Sequence, residues 1–178
     1  MAIQQCLVLI KPDGLVKSLT GDIISALSQA KAKIVGAKIV SVKRELAEEH
    51  YSELKSNLIV KFGEEKGANL FDSIIRYIQG EYHTNRVMAL VYHGEDVIAR
   101  IREIVGSTNP EEADPCSIRG KYGRINSKTD VRETVVHASD SDASAKKEIQ
   151  LWFAPDELAE VIYPIEKKTE TVEKNYWA

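Results

Sequence analysis

The sequence predicts one α+β domain, a ferredoxin-like split β-α-β sandwich in which a four-stranded antiparallel sheet carries helices on one face, with an inserted helical segment. Three observations carry that expectation. Short apolar, β-branched runs alternate with longer segments whose apolar residues recur at helical spacing, in the order β-α-β-αα-β-α-loop-β-α. The 178 residues, 43% hydrophobic and 29% charged, suffice for a single core. No internal repeat or low-complexity tract divides them, so one domain over 1–178 is expected.

The first strand is QCLVLI, an unbroken apolar run stopped by Pro12 and Gly14. After SLTGD, the spacing of Ile23, Ile24, Leu27 and Ala30 predicts a helix with one buried face. KIVGAKIVSVK returns to β-branched residues and predicts the second strand. LAEEHYSELK has helical composition, with Leu46, Tyr51 and Leu54 available for burial, and a further helix is expected from Glu64 to Gln79 on Leu70, Ile74, Tyr77 and Ile78. RVMALVYH, closed by Gly94, predicts strand three, and EDVIARIREIV carries an apolar stripe ended by Gly106. A long loop rich in Pro, Gly and charge follows from Ser107 to about Glu133, and loops of this length are usually functional. The fourth strand contains TVVH, then come the helix ASAKKEIQLWF, a short helix after Pro155, and a polar tail over 164–178.

Composition excludes several classes. A formal net charge of −3 gives no broad attraction to nucleic acid or anionic lipid, and the basic residues of the long loop lack interleaved aromatics, so a nucleic-acid partner is not expected. Two cysteines, Cys6 and Cys116, form neither a metal-ligand spacing nor a disulfide framework and suggest a reducing compartment. No segment approaches the roughly 20 apolar residues of a membrane span and the start of the chain lacks a signal-peptide pattern, so a cytoplasmic location is expected. The P-loop, dinucleotide-binding, protein-kinase and serine-hydrolase patterns do not occur. His50, His83, His93 and His137 are scattered without paired-ligand spacing, so no protein-held metal is predicted.

What remains is four short motifs: KPDG at the end of strand one, GSTNP after a helix, SIRG in the long loop, and HASDS at the end of strand four. Alone, the histidine of TVVHASDS is the last residue of an edge strand, with no role until partners are shown. Together, in this order, the motifs make the chain resemble the nucleoside diphosphate kinase family from about Ile3 to Ile162. The resemblance implies transfer of a γ-phosphate from a nucleoside triphosphate to a nucleoside diphosphate through phosphorylated His137, with Glu148 orienting the ring and Ser139 beside both. It makes Lys11 the contact to nucleotide sugar and phosphates, Arg102 and Arg119 the phosphate-gripping arginines, and Thr108 a hydroxyl partner of the β-phosphate. Tyr51 matches a tyrosine near the active histidine but is also a good core aromatic of its helix. Asp13 and Asn109 are expected to be structural, and Ser139 and Asp140 to cap the last helix.

The resemblance further implies Mg2+ carried by the nucleotide and a homo-oligomer, a hexamer or a tetramer built from dimers. Two residue departures from the family pattern are expected to matter: Ile59 stands where a base-stacking phenylalanine is usual, and Thr134 replaces an asparagine three positions before the histidine. Val131 is the residue expected to pack on the base. Insertions are expected at about 62–86, placed as a lid at the nucleotide edge, and at about 122–130. The competing reading is a nucleotide-binding regulatory protein of the same fold with impaired turnover; the presence of His137, Lys11, Arg102, Arg119 and Glu148 weighs against it.

Overall fold

The computed structural model describes residues 2–127, 131–169, 171 and 173, so the end of the second expected insertion and most of the distal tail lie outside the described residues. The strands are β1 (Ile3–Ile10), β2 (Lys33–Ser41), β3 (Arg86–Glu95), β4 (Arg124–Ile125), β5 (Arg132–Glu133) and β6 (Val136–Ala138). The helices are α1 (Pro12–Val16), α2 (Thr20–Leu27), α3 (Arg44–His50), α4 (Ser52–Phe62), α5 (Glu64–Ile78), α6 (Val97–Val105), α7 (Ile118–Tyr122) and α8 (Asp142–Trp152). The main sheet has the order β2-β3-β1-β6, with every neighbouring pair antiparallel, as expected for the split β-α-β topology.

Helices cover both faces of this sheet, not one. Every side chain from Cys6 to Ile10 is fully buried, so central β1 needs apolar partners above and below. Cys6, Val8 and Ile10 share one cluster with Ile23 and Leu27 of α2 and Val97, Ile101 and Val105 of α6. Leu7 and Leu9 belong to the other, with Ala47 of α3, Phe71, Ile75 and Ile78 of α5, and Ile149 and Trp152 of α8. The continuous run CLVLI, where a half-exposed strand would alternate, is the signal for two-sided burial. The 62–86 stretch therefore supplies a core helix: α5 buries its apolar stripe beneath the sheet and is not a lid.

Local boundaries also differ from the periodicity. The expected single helix through Tyr51 is broken there, α3 ending at His50 and α4 starting at Ser52. The PDGL turn closes into α1 with proline at its first position, where its missing N–H costs nothing. Strand four is three residues long, because Val135 just before it has φ +52° and cannot extend the ladder. The long loop holds structure of its own: Ser117 Oγ accepts from Gly120 N at 3.1 Å to cap α7, and β4 pairs with β5. Ser141, not Ser139 or Asp140, caps α8, its Oγ accepting from Ser144 N at 3.2 Å in a capping box.

Candidate active site

β6 pairs with β1 so that His137 lies opposite Leu9, which anchors the histidine backbone to the most deeply buried strand. Its side chain stays partly open and meets α8, where Glu148 Oε1 lies 3.0 Å from His137 Nε2. A carboxylate only accepts, so Nε2 carries the hydrogen and Nδ1 keeps the lone pair. Ser139 Oγ donates to Glu148 Oε2 at 2.5 Å and itself accepts from Leu7 N at 3.1 Å, so the carboxylate is held at both oxygens. The serine's role is to tie Glu148 to β1, which explains why it does not cap the helix.

The end of β1 supplies the second component. Lys11 Nζ donates to Thr134 Oγ1 at 2.9 Å, and Lys11 N donates to the carbonyl of Val135 at 2.9 Å. Asp13 is completely buried and its Oδ2 accepts from Val135 N at 3.0 Å, so the KPDG turn grips the one residue before β6 that is forced into a left-handed conformation. Gly14 is required there, because a Cβ would stand 2.9 Å from the Val135 carbonyl oxygen. Burial, reinforced by the charge of Arg119, lowers the Lys11 ammonium to a pKa of about 8. The Thr134 hydroxyl is thus the acceptor for Lys11. Thr134→Val is expected to lose this bond at nearly constant shape, costing about 0.5–1.5 kcal/mol, or roughly two- to tenfold in kcat/KM. Steady-state kinetics beside a Lys11→Met, Thr134→Val cycle checks it: additive penalties would separate the two side chains.

Arg119, on α7, is buried and crosses to the sheet, with Nη2 donating to the Val136 carbonyl at 3.1 Å and Nη1 to the Gly106 carbonyl at 2.9 Å. Thr108 Oγ1 accepts from the same Nη1 at 3.4 Å. Gly106 ends α6 at φ +85°, and Ser117 Oγ would lie 2.2 Å from any Cβ added to it. Burial and the neighbouring Arg102 charge lower the Arg119 guanidinium to about 10. Two guanidinium groups and an ammonium that raise one another's electrostatic cost form a site preorganised for an anion.

α3 brings a further ring. The His50 and His137 rings meet edge-to-face, centroids 4.6 Å apart, and Tyr51 and Trp152 lie edge-on to His50 at 4.6 and 5.6 Å. Burial and the charge of Glu148 raise the Tyr51 phenol, so it stays a neutral donor. Ring nitrogens of His50 and His137 and an oxygen of Glu148 lie within 4.8 Å of one another, which on distance alone suggests a metal centre. The donor set argues otherwise. Trp152 Nε1 donates to His50 Nδ1 at 3.2 Å, using the one lone pair of a neutral imidazole, and both Glu148 oxygens are already engaged.

The sequence model of nucleoside diphosphate kinase matches residues 4–158. The chain belongs to the nucleoside diphosphate kinase family. It is 38% identical over 157 residues to the nucleoside diphosphate kinase of Desulfitobacterium hafniense (strain DSM 10664 / DCB-2), covering 88% of this chain and 92% of that one. Against that of Carboxydothermus hydrogenoformans the identity is 39% over 155 residues, 87% of this chain and 91% of the relative. Among solved structures, the nucleoside-diphosphate kinase of Borrelia burgdorferi, a transition-state mimic with bound vanadate and ADP, superposes with a TM-score of 0.74 at 30% identity over 94% of this chain and 93% of that one. The NDP kinase of Pyrobaculum aerophilum gives 0.77 at 27% identity, over 89% of this chain and all of its own.

As a nucleoside diphosphate kinase-family chain, it brings together most of the residues singled out by motif. Lys11, Thr108, Arg119, Thr134, His137 and Glu148 are joined through the contacts above, and the charges of Arg102 and Glu148 act on Arg119 and Tyr51 respectively. The two positions expected at the base sit on α4 and just before β5. Ile59 is in α4, its backbone pressed on α5 so closely that a Cβ on Gly67 would come within 2.7 Å of it. Val131 is buried, its carbonyl accepting from Asn126 N at 3.0 Å.

Sequence reasoning missed three groups: His50, Trp152 and Glu133. Glu133 is 1% exposed and accepts from Arg124 Nε at 2.7 Å, Asn126 Nδ2 at 2.8 Å and Lys17 Nζ at 3.1 Å, with His83 Nε2 also at 3.1 Å. It ties α1, the segment before β3 and the β4–β5 loop to the residue beside Thr134. Burial pushes its carboxyl up, but the bonds from Arg124, Asn126 and Lys17 prevail and hold it at about 2. A depressed carboxyl contributes stability that is full above its unfolded value near 4.5 and is lost as pH falls through about 2. Glu133→Ala leaves Lys17 and His83 without this partner and is expected to cost about 3 kcal/mol, read as a lowered urea midpoint. A change under about 0.5 kcal/mol would mean the cations find water instead.

Proposed function

We propose that the protein moves the γ-phosphoryl group of a nucleoside triphosphate to a nucleoside diphosphate by a ping-pong route through Nδ1 of His137. The observation that carries this reading is the Glu148 carboxylate on His137 Nε2, which leaves Nδ1 as the nucleophilic lone pair. In the first half-reaction Nδ1 forms a bond to Pγ while the bond from Pγ to the β-bridging oxygen breaks, and that oxygen keeps the electron pair. The second half-reaction reverses these steps toward a different diphosphate. Lys11, Arg102 and Arg119 stabilise the charge spread over the transferring oxygens, with Thr108 beside Arg119. As His137 gains positive character on attack, Glu148 stabilises it.

The cationic lining fits a nucleotide that brings Mg2+ with it through its β- and γ-oxygens and water, rather than an ion held by protein carboxylates. The motif-matched base positions Ile59 and Val131 are apolar, so little base specificity is expected; a preference of several orders of magnitude in competition assays would overturn that. The assembly is proposed as a homo-oligomer, a hexamer or a tetramer of dimers, consistent with exposed Ile34 and Ile39 on the outermost strand β2, and a solution mass measurement decides it. The proposed compartment is the cytoplasm, in keeping with cysteines that are both unpaired; among the described residues no helix is long and apolar enough to cross a membrane.

Exchange kinetics test the route: double-reciprocal plots for triphosphate at several fixed diphosphate concentrations should be parallel, whereas intersecting lines would mean direct transfer without a phosphoenzyme. Glu148→Gln keeps an acceptor for Nε2–H but loses the charge that stabilises the ring on attack. It is expected to lower kcat roughly 10- to 100-fold with a smaller change in KM. An unchanged kcat would remove Glu148 from the mechanism.

A further inference from the structure

We infer that His50 is a positioning residue for the nucleophile, a neutral, tautomer-locked ring that keeps His137 Nε2–H on Glu148 and Nδ1 turned outward; this rests on the proposed phosphohistidine route. The His50 ring stands at 78° to that of His137 with centroids 4.6 Å apart, close enough to restrict rotation of the His137 ring plane. Its own orientation is fixed from the far side, where Trp152 Nε1 donates to Nδ1 at 3.2 Å and the indole ring lies edge-on. Nδ1 is therefore the acceptor nitrogen, and Nε2 carries the hydrogen.

That Nε2 is buried and has no hydrogen-bond partner among the described residues, which is uncommon for a polar atom. A nitrogen of this ring is within 4.8 Å of both a His137 nitrogen and a Glu148 oxygen, so the unpaired ring is packed against the dyad itself. Burial, then the charges of His137, Lys11 and Lys147, hold the His50 imidazolium well below its ordinary range. A neutral neighbour does not compete with His137 as a cation for Glu148 as the nucleophile takes on charge. The chain Trp152–His50–His137–Glu148 joins α3, β6 and α8, three elements that meet only in the tertiary structure.

The test measures the rate of phosphoenzyme formation from MgATP by rapid quench in the full-length protein, together with nucleotide affinity and the 15N-detected tautomer of His137. His50→Ala is expected to slow phosphorylation roughly tenfold per folded molecule, leave nucleotide affinity within about twofold, and turn the single His137 tautomer into a mixture. His50→Phe, which restores a ring of similar shape, should recover part of the rate and most of the tautomer preference. Trp152→Phe, which leaves His50 in place but frees its tautomer, should give an intermediate loss and serves if the alanine variant does not fold. Wild-type rate and a single His137 tautomer in His50→Ala, or in Trp152→Phe where that variant stands in, would overturn the inference. Failure of the wild type itself to become phosphorylated would overturn the phosphohistidine route instead, while the tautomer measurement would still decide the role of His50.

Discussion

His137→Asn is expected to lose at least about 10³-fold in kcat and to yield no detectable phosphoenzyme, the largest effect of any substitution in the chain. The amide of asparagine has no nucleophilic lone pair on nitrogen, and the carbonyl oxygen is a poor nucleophile at neutral pH. Its bond to Glu148 is also lost, because the shorter side chain does not span the 3.0 Å contact made by Nε2. The measurement is incubation with a γ-labelled triphosphate and magnesium, followed by denaturing separation. Wild type should carry label that is lost in acid and kept in base, the behaviour of a phosphoramidate. Equal labelling of the variant would move the acceptor to another residue and the family motif would have lost its function here.

Removing the Lys11 charge comes next in size. Lys11→Met is expected to lower kcat/KM roughly 10²- to 10³-fold, since an ammonium in a buried site stabilises transition-state charge far better than it would in water. Because burial and Arg119 bring its pKa to about 8, the charge is present below that pH in the free protein and lost above it. The kcat/KM profile should therefore fall on the alkaline side with a midpoint near 8, and Lys11→Arg should move that limb upward because a guanidinium stays charged. The stability consequence has the opposite sign. Between about 8 and the unfolded value near 10.5 the unfolded chain binds the extra proton, so stability rises with pH across that window and the cost of charging Lys11 is fully present below it. Lys11→Met should then be more stable than wild type at neutral pH while being nearly inactive. A flat rate profile from pH 7 to 10, with the variant no more stable, would mean that Lys11 is better solvated than its surroundings suggest.

The sequence by itself determined the four strands of the main sheet, their succession along the chain and the motifs proposed to carry the chemistry, whereas the β4–β5 pair inside the long loop was not legible. CLVLI, KIVGAKIV and RVMALVYH are long apolar or β-branched runs whose burial follows from local composition, and KPDG, GSTNP, SIRG and HASDS are contiguous, so each could be read where it stands. Both the family and the histidine proposed as nucleophile were legible for that reason. The tertiary structure alone decided how the pieces support one another. The sidedness of the helices depends on what packs against each face of β1, and α5 became core rather than cover because its stripe of Phe71, Ile75 and Ile78 found the lower face of the sheet. Val135 takes a left-handed conformation that its β-branched side chain disfavours, because Asp13 and Lys11, more than 120 residues earlier, hold its N–H and C=O. His50 and His137 are 87 positions apart with no spacing to relate them, yet their rings touch once α3 and α8 close on the end of β6. A local pattern records what a residue prefers, whereas a hydrogen-bond partner, a ring contact or a shared charge is set by chain closure through the core, and no local window contains both ends of it.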